Sequence, residues 1–528
     1  MPVNLSYPGV YVQEIASGVR TVAGVPTSIA AFVGRTSRGP VNMPSSCFNF
    51  GEFTRRFGGL WSNGPLSYAV DDFYANGGGQ SEIVRLFKQT ADDDDGIAVL
   101  AIGALELRAS SPGSWGNKLK GTATHPAVTD PEGAAAAAAK YGLTVNDLFD
   151  LRVEDTGTGA VEVYRNLTVA AAGGQRRFDR VLAEQSNLVQ CQLNNDGTPK
   201  LGNRPAHEAT GAGQDGNDGV ALDATAFKGD YDKKTGIYAL RKADLFNLLC
   251  IPPDTRDGTL DKSVNEAAAQ FCKEERALLI IDPPASWDQN PSEAAALVKS
   301  DQLDATKAVL SLTYADYAAL FFPRLLKRDP LRGGQIDVFP PCGAVAGVMA
   351  RTDVNRGVWK APAGIASTVA GSDGLTVKLT DEENGLLNPI AVNCLRSFPN
   401  IGRVVWGSRT LKGSDQLSDD YKYIPVRRLA LFIEESLYRG TQWVVFEGND
   451  EPLWAQVRLS VGAFMQRLFR QGAFQGTSPR QAYFIKCDGE TTTQDDRNRG
   501  IVNIVVGFAP LLPAEFVVIS IQQIRNAA

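Results

Sequence analysis

The stretch NLLCIPPDTRDGTLDKSVNEAAAQFCKEERALLIIDPP, residues 247–284, decides the architecture. It opens and closes on short runs that are apolar on both faces. Between them, apolar positions recur at helical spacing, which predicts a helix near 262–275. Doubly buried strands separated by a helix point to a parallel sheet covered on both sides. The pattern continues with a short helix expected near 292–301 and a strand expected at KAVLSLT (307–313). Residues 241–354 therefore read as an α/β core.

Upstream, SIAAFVGRTSRGP (28–40) reads as a buried strand ending in a Gly-Pro turn. A helix is expected at 65–76, because Leu66, Val70, Phe73 and Tyr74 share a face and three glycines follow. EIVRLF (82–87) supplies another strand, so 26–91 form the first part of the core. Residues 1–25 read as an N-terminal arm and linker, in which Val10 and Val12 lie on one face of an extended run opened by Tyr7, Pro8 and Gly9. At Asp92–Asp95 the composition shifts. As far as residue 240 the chain holds short strands (LFDLRVED, AVEVYRN), an alanine tract at 134–139 and many Gly and Asn, read as an inserted, mainly β outer domain over 92–240.

Downstream, PPCGAVAGVMARTD (340–353) is a helix of small residues. VNCLRSF and RVVWGSRTL read as strands, PVRRLALFIEESLYRG (425–440) as a helix opened by Pro425, and TQWVVF (441–446) as a strand. The helix at 452–471 carries Trp454, Val457, Val461, Phe464 and Leu468 on one stripe, with Asn449 or Asp450 as its cap. AYFIKCD, IVNIVVGFAP and EFVVISIQQ are further strands. Residues 355–514 read as an α+β C-terminal domain and 515–528 as a terminal strand or arm, with linkers at 16–25 and 510–514.

Composition narrows the function. At 528 residues the chain exceeds one core, and roughly 150 residues per domain suggests three to four domains. The formal net charge is −6, with Lys and Arg scattered, so nucleic acid is not an expected partner. The first residues lack a signal-peptide pattern and no apolar stretch reaches the ~18 residues of a membrane span, so synthesis in the cytoplasm without membrane insertion is expected. Seven cysteines (Cys47, Cys191, Cys250, Cys272, Cys342, Cys394, Cys487), widely separated and without a CxxC pair, read as reduced core thiols.

The search for chemistry returns little. GAGQDG (211–216) fits GxGxxG but lacks a preceding apolar strand and a following helix, and reads as a flexible loop. Phosphate-loop, zinc-helix and nucleophile-elbow motifs are missing. The two histidines, His125 and His207, fall in the insertion, away from the core on which a Ser-His-Asp triad would be built. Asp92–Asp95 reads as a solvated charge run, since Gly103 stands where an EF-hand needs its bidentate Glu. Glu434/Glu435 and Asp495/Asp496, adjacent in sequence, read as surface groups. Catalytic, cofactor and metal sites are not expected.

What remains informative is a set of segments: YPGVYVQEI, AAFVGRTSRGP, FGEFTRRFGGL, ALFFPRLLKRDP, PPCGAVAGVMARTDVNRGVWKAPAG, GLLNPIAVNCLRSFPNIGRVVWGSRTL, YIPVRRLALFIEESLYRGTQWVVFEGNDEPLW and AEFVVISIQQ. In content and order they resemble the phage tail sheath family and its relatives in extracellular contractile injection systems, over residues 1–86 and 245–528. The resemblance implies a subtilisin-like α/β core without catalytic residues, an α+β C-terminal sheath domain, and terminal arms that exchange strands with neighbouring subunits. It further implies a helical homopolymer around an inner tube, with baseplate and terminator or cap proteins as partners. Such a sheath contracts to drive the tube through a target envelope, in a virion tail or tail-like particle assembled in the bacterial cytoplasm.

On that reading Tyr7, Val10, Tyr11, Val12, Phe516, Val517, Val518, Ile519 and Ile521 form the inter-subunit arms. The residues favour the same idea, because an apolar terminal strand without a partner aggregates unless a neighbour's sheet edge receives it. Arg458, Arg467 and Arg470, on the polar side of the 452–471 helix, are the tube-facing candidates. The alternatives are a subtilisin-like hydrolase and a tail tube or fibre protein; chain length and the α/β core weigh against the second.

Overall fold

The computed structural model describes residues 20–91, 94–194, 196–303, 309–311 and 313–519. Tyr7, Val10, Tyr11, Val12 and Ile521 lie outside the described residues. The chain divides into a terminal unit (Met1–Thr27, Thr352–Ala361 and Tyr423–Ala528) and a central unit (Ser28–Arg351 and Pro362–Lys422).

The central unit is organised by an eight-stranded sheet. Its order is Gly402–Val405, Val392–Phe398, Ala318–Phe322, Leu278–Ile281, Leu248–Cys250, Ala30–Gly34, Ser81–Arg85, Ser45–Cys47. The six inner strands run parallel and the two edge strands antiparallel. The four middle strands, Ala318–Phe322, Leu278–Ile281, Leu248–Cys250 and Ala30–Gly34, are buried along their whole length, as their largely apolar content requires. From Ala30–Gly34 the chain builds first to one side (Ser81–Arg85) and later to the other (Leu248–Cys250 onward). That makes a doubly wound sheet with a switch point between Ala30–Gly34 and Leu248–Cys250.

The helix Cys342–Arg356 packs against Leu66–Ala75 through its glycines. A Cβ on Gly343 would stand 1.9 Å from the carbonyl oxygen of Ala69, and one on Gly347 2.5 Å from that of Phe73. The small residues of this helix serve that close approach.

Two expectations about this sheet are corrected. The strand expected at KAVLSLT is instead Ala318–Phe322, one run later, and 309–311 are not in a strand. AALFF can be buried on both faces, whereas KAVLSLT carries Lys307 and Ser311. The strands at VNCLRSF and RVVWGSRTL, assigned to the 355–514 domain, complete the central sheet. Val392, Cys394 and Leu395 are buried beside Ala318–Phe322, so the chain returns to the terminal unit only at Tyr423.

Residues 99–214 hold a second, wholly antiparallel sheet: Ala160–Thr168, Leu148–Asp155, Leu119–Thr124, Ala209–Gln214, Val99–Ile102, Leu105–Ala109, Val189–Cys191. Its core includes Leu100, Leu107, Phe149, Val153, Phe178 and Leu182. The alanine tract is the helix Pro131–Tyr141, capped by Asp130 and stopped by Gly142 in the left-handed region. GAGQDG is largely a strand, not a loop: Ala209–Gln214 runs centrally, and its glycines let neighbours close in. A Cβ on Gly211 or Gly213 would lie 2.1 Å from Ala101 O or 1.9 Å from Gly116 O. The insertion also ends before residue 240, because Leu222, Phe227, Ile237 and Leu240 are buried in the core of the parallel sheet.

In the terminal unit, helices Ile424–Gly440 and Glu451–Arg470 share a core of Leu429, Ile433, Trp454, Val457, Val461, Phe464, Met465 and Leu468. Asp450 is the N-cap of the second helix without a capping side-chain bond, and Asn449 Oδ1 accepts from Trp454 Nε1 at 3.0 Å instead. TQWVVF is not a strand: Gln442–Val444 form one 3-10 turn in the connection between the two helices, where no sheet edge is available to it. Glu435 is not a surface group. It is buried and pairs with Arg439 at 2.6 Å. All seven cysteines are buried free thiols.

Asp282 follows the strand Leu278–Ile281 and accepts from the backbone N–H of Cys342 at 2.8 Å, while its Oδ2 is buried without a hydrogen bond. Burial pushes its carboxyl up to about 7. The folded chain therefore holds more protons than the unfolded chain between the ordinary carboxylate range and about pH 7, and stability falls as pH rises through that window. Asp282→Asn keeps the acceptor for Cys342 and removes the titration. Its melting temperature is expected to match wild type at about pH 4 and to exceed it at about pH 8, by an amount worth up to a few kcal/mol. An unchanged pH slope in thermal unfolding would contradict this.

Candidate functional site

In doubly wound sheets, ligands and reacting groups collect at the carboxyl ends of the strands, at the switch point. Here that crevice is filled. Arg35, just after Ala30–Gly34, pairs with Asp254, beyond Leu248–Cys250, at 2.6 Å, and Asp254 also accepts from the Leu222 N–H at 3.1 Å. Arg256 pairs with Asp329 at 2.6 Å and Asp337 at 2.8 Å, and its guanidinium lies over Tyr68 and Phe339. Arg324, after Ala318–Phe322, pairs with Asp288 at 2.5 Å. Lys327 pairs with buried Asp72, whose carboxyl is pushed up to about 6 by burial against the opposing pull of the lysine. Cations and carboxylates thus neutralise one another in a largely buried cluster, an arrangement that holds loops in place.

Asp282 and Cys342, at the start of a helix, form an acid–thiol pair in this region. Burial holds the thiol well above its ordinary range, so it stays protonated and unreactive. The histidines do come together, but in the inserted sheet: His207 Nδ1 accepts from the His125 backbone N–H at 2.9 Å, and the rings lie 5.3 Å apart. Among the described residues no cluster of His, Cys, Asp and Glu could hold a metal ion, and no helix is long and apolar enough to cross a membrane. A cleft of about 770 Å³ in the central unit is lined in part by Arg38, Phe48, Arg56 and Val161, and Arg38 is committed there to Asp155 at 3.1 Å.

The terminal unit carries a different kind of site. Tyr483–Lys486 and Val505–Phe508 form an antiparallel ribbon in register Tyr483↔Phe508 to Lys486↔Val505. The ribbon lies against helix Glu451–Arg470, with Tyr483 Oη donating to Gln466 Oε1 at 2.8 Å. Among the described residues neither strand has a second neighbour, so both outer edges present unpaired backbone groups. Past the ribbon, Pro510 makes one bridge to Phe474, and residues 511–519 have no regular structure. Phe516, Val517, Val518 and Ile519 are 76%, 82%, 88% and 80% exposed, a run of four apolar side chains in water. The strand expected at EFVVISIQQ is thus not formed over its described part, where Phe516–Ile519 lie exposed.

The expected linker at 16–25 is docked where it is described. Val22 is buried between the two long helices, its carbonyl accepts from Arg467 Nη2 at 2.6 Å, and Gly24 leaves room for the Phe432 ring. Thr27, Asp353 and Arg428 then form a clamp. Arg428 is bidentate to Asp353 at 2.6 and 2.9 Å and donates to Thr27 O at 2.8 Å, with both charges almost fully buried. Sequence spacing carried no sign of it, since its members lie 75 to 401 residues apart.

Of the three arginine candidates, Arg458 pairs with Glu451 at 2.5 Å and donates to the Cys487 carbonyl, and Arg467 holds Val22. Arg470, in the last turn, is exposed. The exposed positions of the helix include Ala455, Gln456, Leu459, Ala463 and Arg470, with Arg467 engaged by Val22. A feature missed in the sequence is the loop after Ile424–Gly440, where Phe446 is fully exposed at φ +70. Left-handed backbone costs a bulky L-residue roughly 1–2 kcal/mol. The turn-forming Gly448-Asn449-Asp450 just beyond it was the available signal.

A family model described as the phage tail sheath protein central domain matches residues 229–411, and one for the phage tail sheath C-terminal domain matches 416–524. Among curated proteins no sequence matches the chain. Among solved structures, the contracted sheath complex of the extracellular contractile injection system PVC is 21% identical, with a TM-score of 0.56 over 99% of each chain. The helical sheath of the anti-feeding prophage in its contracted state is 23% identical, with a TM-score of 0.54 over 98% of this chain and 99% of that one. A sheath tail protein of Listeria innocua is 12% identical, with a TM-score of 0.58 over 93% and 96%. These likenesses show a shared mixed α/β multidomain fold. With the two models together spanning more than half its length, the chain belongs to the phage tail sheath family.

Proposed function

We propose that this chain is the structural subunit of a contractile sheath, polymerising helically around an inner tube and contracting to drive that tube through a target envelope. The observation that carries the reading is the ribbon Tyr483–Lys486/Val505–Phe508, open on both edges among the described residues, together with the exposed apolar run Phe516–Ile519 on the same unit. A strand donated from one subunit satisfies the edge of another, gaining about 1 kcal/mol per backbone hydrogen bond and about 1.5–3 kcal/mol per large side chain buried. Residues 515–528 and the N-terminal arm bearing Tyr7, Val10, Tyr11 and Val12 are the donated segments. Because backbone pairing can persist while the bodies rotate, the same chain supports an extended and a contracted packing.

The central unit then serves as a rigid body. Its core is a subtilisin-like sheet without catalysis, which the ion pairs filling its crevice favour over a hydrolase. The inserted sheet is the outer, variable part. Neighbouring copies, a baseplate and a cap protein are the partners, and the particle is a virion tail or a tail-like injection machine assembled in the bacterial cytoplasm. Arg470, exposed at one end of the Ala455–Leu459–Ala463 face, meets acidic groups of the tube.

The purified chain is expected to form sheath-like tubes visible by negative-stain microscopy. Removing residues 1–16 or 515–528 is expected to leave a cooperatively folded, soluble subunit that no longer polymerises. Normal tubes from the 1–16 truncation would refute arm exchange, and a monodisperse wild-type monomer at all concentrations would refute the sheath reading.

Arg470→Glu is expected to leave the melting temperature within about 1 °C, since the site is exposed. It should reduce co-sedimentation with preformed inner tubes several-fold, more strongly at low salt. Unchanged co-sedimentation would remove Arg470 from the tube contact.

A further inference from the structure

The loop between helices Ile424–Gly440 and Glu451–Arg470 is held at both feet. Trp443 lies under the Arg20 guanidinium, 5.0 Å from its ring centroid. Asn449 donates to Ile501 O at 2.9 Å, accepts from Trp454 Nε1, and takes a bond on its carbonyl from Arg497 Nε at 3.2 Å. Between the feet, the backbone bonds Val445 N–H to Gln442 O and Glu447 N–H to Val444 O fix the tip. That tip presents Val445, 62% exposed, and Phe446, wholly exposed with φ +70. Nothing in the isolated chain is gained by holding a phenyl ring in water on left-handed backbone. A rigid, pre-ordered aromatic that loses no further freedom on burial is what an interface anchor requires.

We propose that Val445 and Phe446 form an apolar knob that inserts into a second copy of this chain. The assignment rests on the sheath reading. One foot of the loop meets Arg20, which lies between the proposed donated segment 1–16 and the docked Val22, and the other meets Ile501, which leads into the ribbon strand Val505–Phe508. A neighbour tethered through either arm is thereby brought against the knob. Contact between a knob and a different patch on the next copy is heterologous, the kind that propagates a helix. The knob is flanked by acidic Glu447, Asp450 and Glu451, while the tube-facing arginine lies roughly 25–30 Å away along the helix. The two ends of Glu451–Arg470 thus suit different partners.

Phe446→Gly separates this role from a role in folding, because glycine adopts φ +70 without strain. Its melting temperature as unassembled subunit is expected to equal or exceed that of wild type. The critical concentration for polymerisation, read by sedimentation, is expected to rise at least tenfold, and Phe446→Tyr is expected to assemble as wild type does. Wild-type assembly in the same assay establishes the sheath reading independently. If wild type and Phe446→Gly polymerise at the same concentration, the knob inference fails while that reading stands. If Phe446→Gly polymerises normally by itself but no longer encloses preformed inner tubes, the knob belongs to the tube contact and the assignment to a second copy is overturned.

Discussion

A two-stranded ribbon with unpaired edges is marginal in water, and the ribbon Tyr483–Lys486/Val505–Phe508 persists because one of its faces lies on helix Glu451–Arg470. Among the described residues, that support leaves the edges open. Much else in the terminal unit follows from keeping such an open edge in a fixed place. Val22 threads the long helices, Arg467 holds its carbonyl, and Asp353 and Arg428 clamp Thr27, so the segment carrying the N-terminal arm is anchored in the same unit that presents the ribbon. In the proposed assembly, donor and acceptor are thus built into one small body, and a chain of identical bodies can be knitted without further components.

The central unit shows how the crevice of a doubly wound α/β sheet can be occupied by paired charges. The doubly wound order creates a crevice at the ends of Ala30–Gly34 and Leu248–Cys250, and Arg35, Asp254, Arg256, Arg324 and Asp288 fill it with paired charges. Breaking one partner of such a pair would leave a buried charge alone, a larger penalty than the pair itself contributes. The crevice is therefore held shut by the cost of opening it. Rigidity of this kind suits a body that is proposed to move as a whole.

Long, strongly periodic elements were legible in the sequence. The stripe Trp454–Val457–Val461–Phe464–Leu468 and the runs at Leu278–Ile281 and Ala30–Gly34 announce their burial through spacing alone. Errors gathered where tertiary context overrides local pattern. TQWVVF has the β-branched and aromatic content of a strand, yet the two helices it joins give it no edge to pair with. GAGQDG looks like a loop because glycine is a poor strand former, and it is a strand because only glycine lets Ala101 and Gly116 approach so closely. Glu435 looked like a solvated charge, yet it is buried and pairs with the partly exposed Arg439 one turn on. The Thr27–Asp353–Arg428 clamp and the filled crevice join residues distant in sequence, which spacing cannot show.

Hydrogen exchange at the backbone amides of 483–486 and 505–508, compared between free subunits and assembled sheath, tests the central claim most directly. Strand completion predicts that the outward-facing amides exchange rapidly in the free chain and become protected by orders of magnitude in the polymer, while the amides already paired across the ribbon change far less. Outward-facing amides that exchange equally fast in both states would show that the sheath is held together by other surfaces.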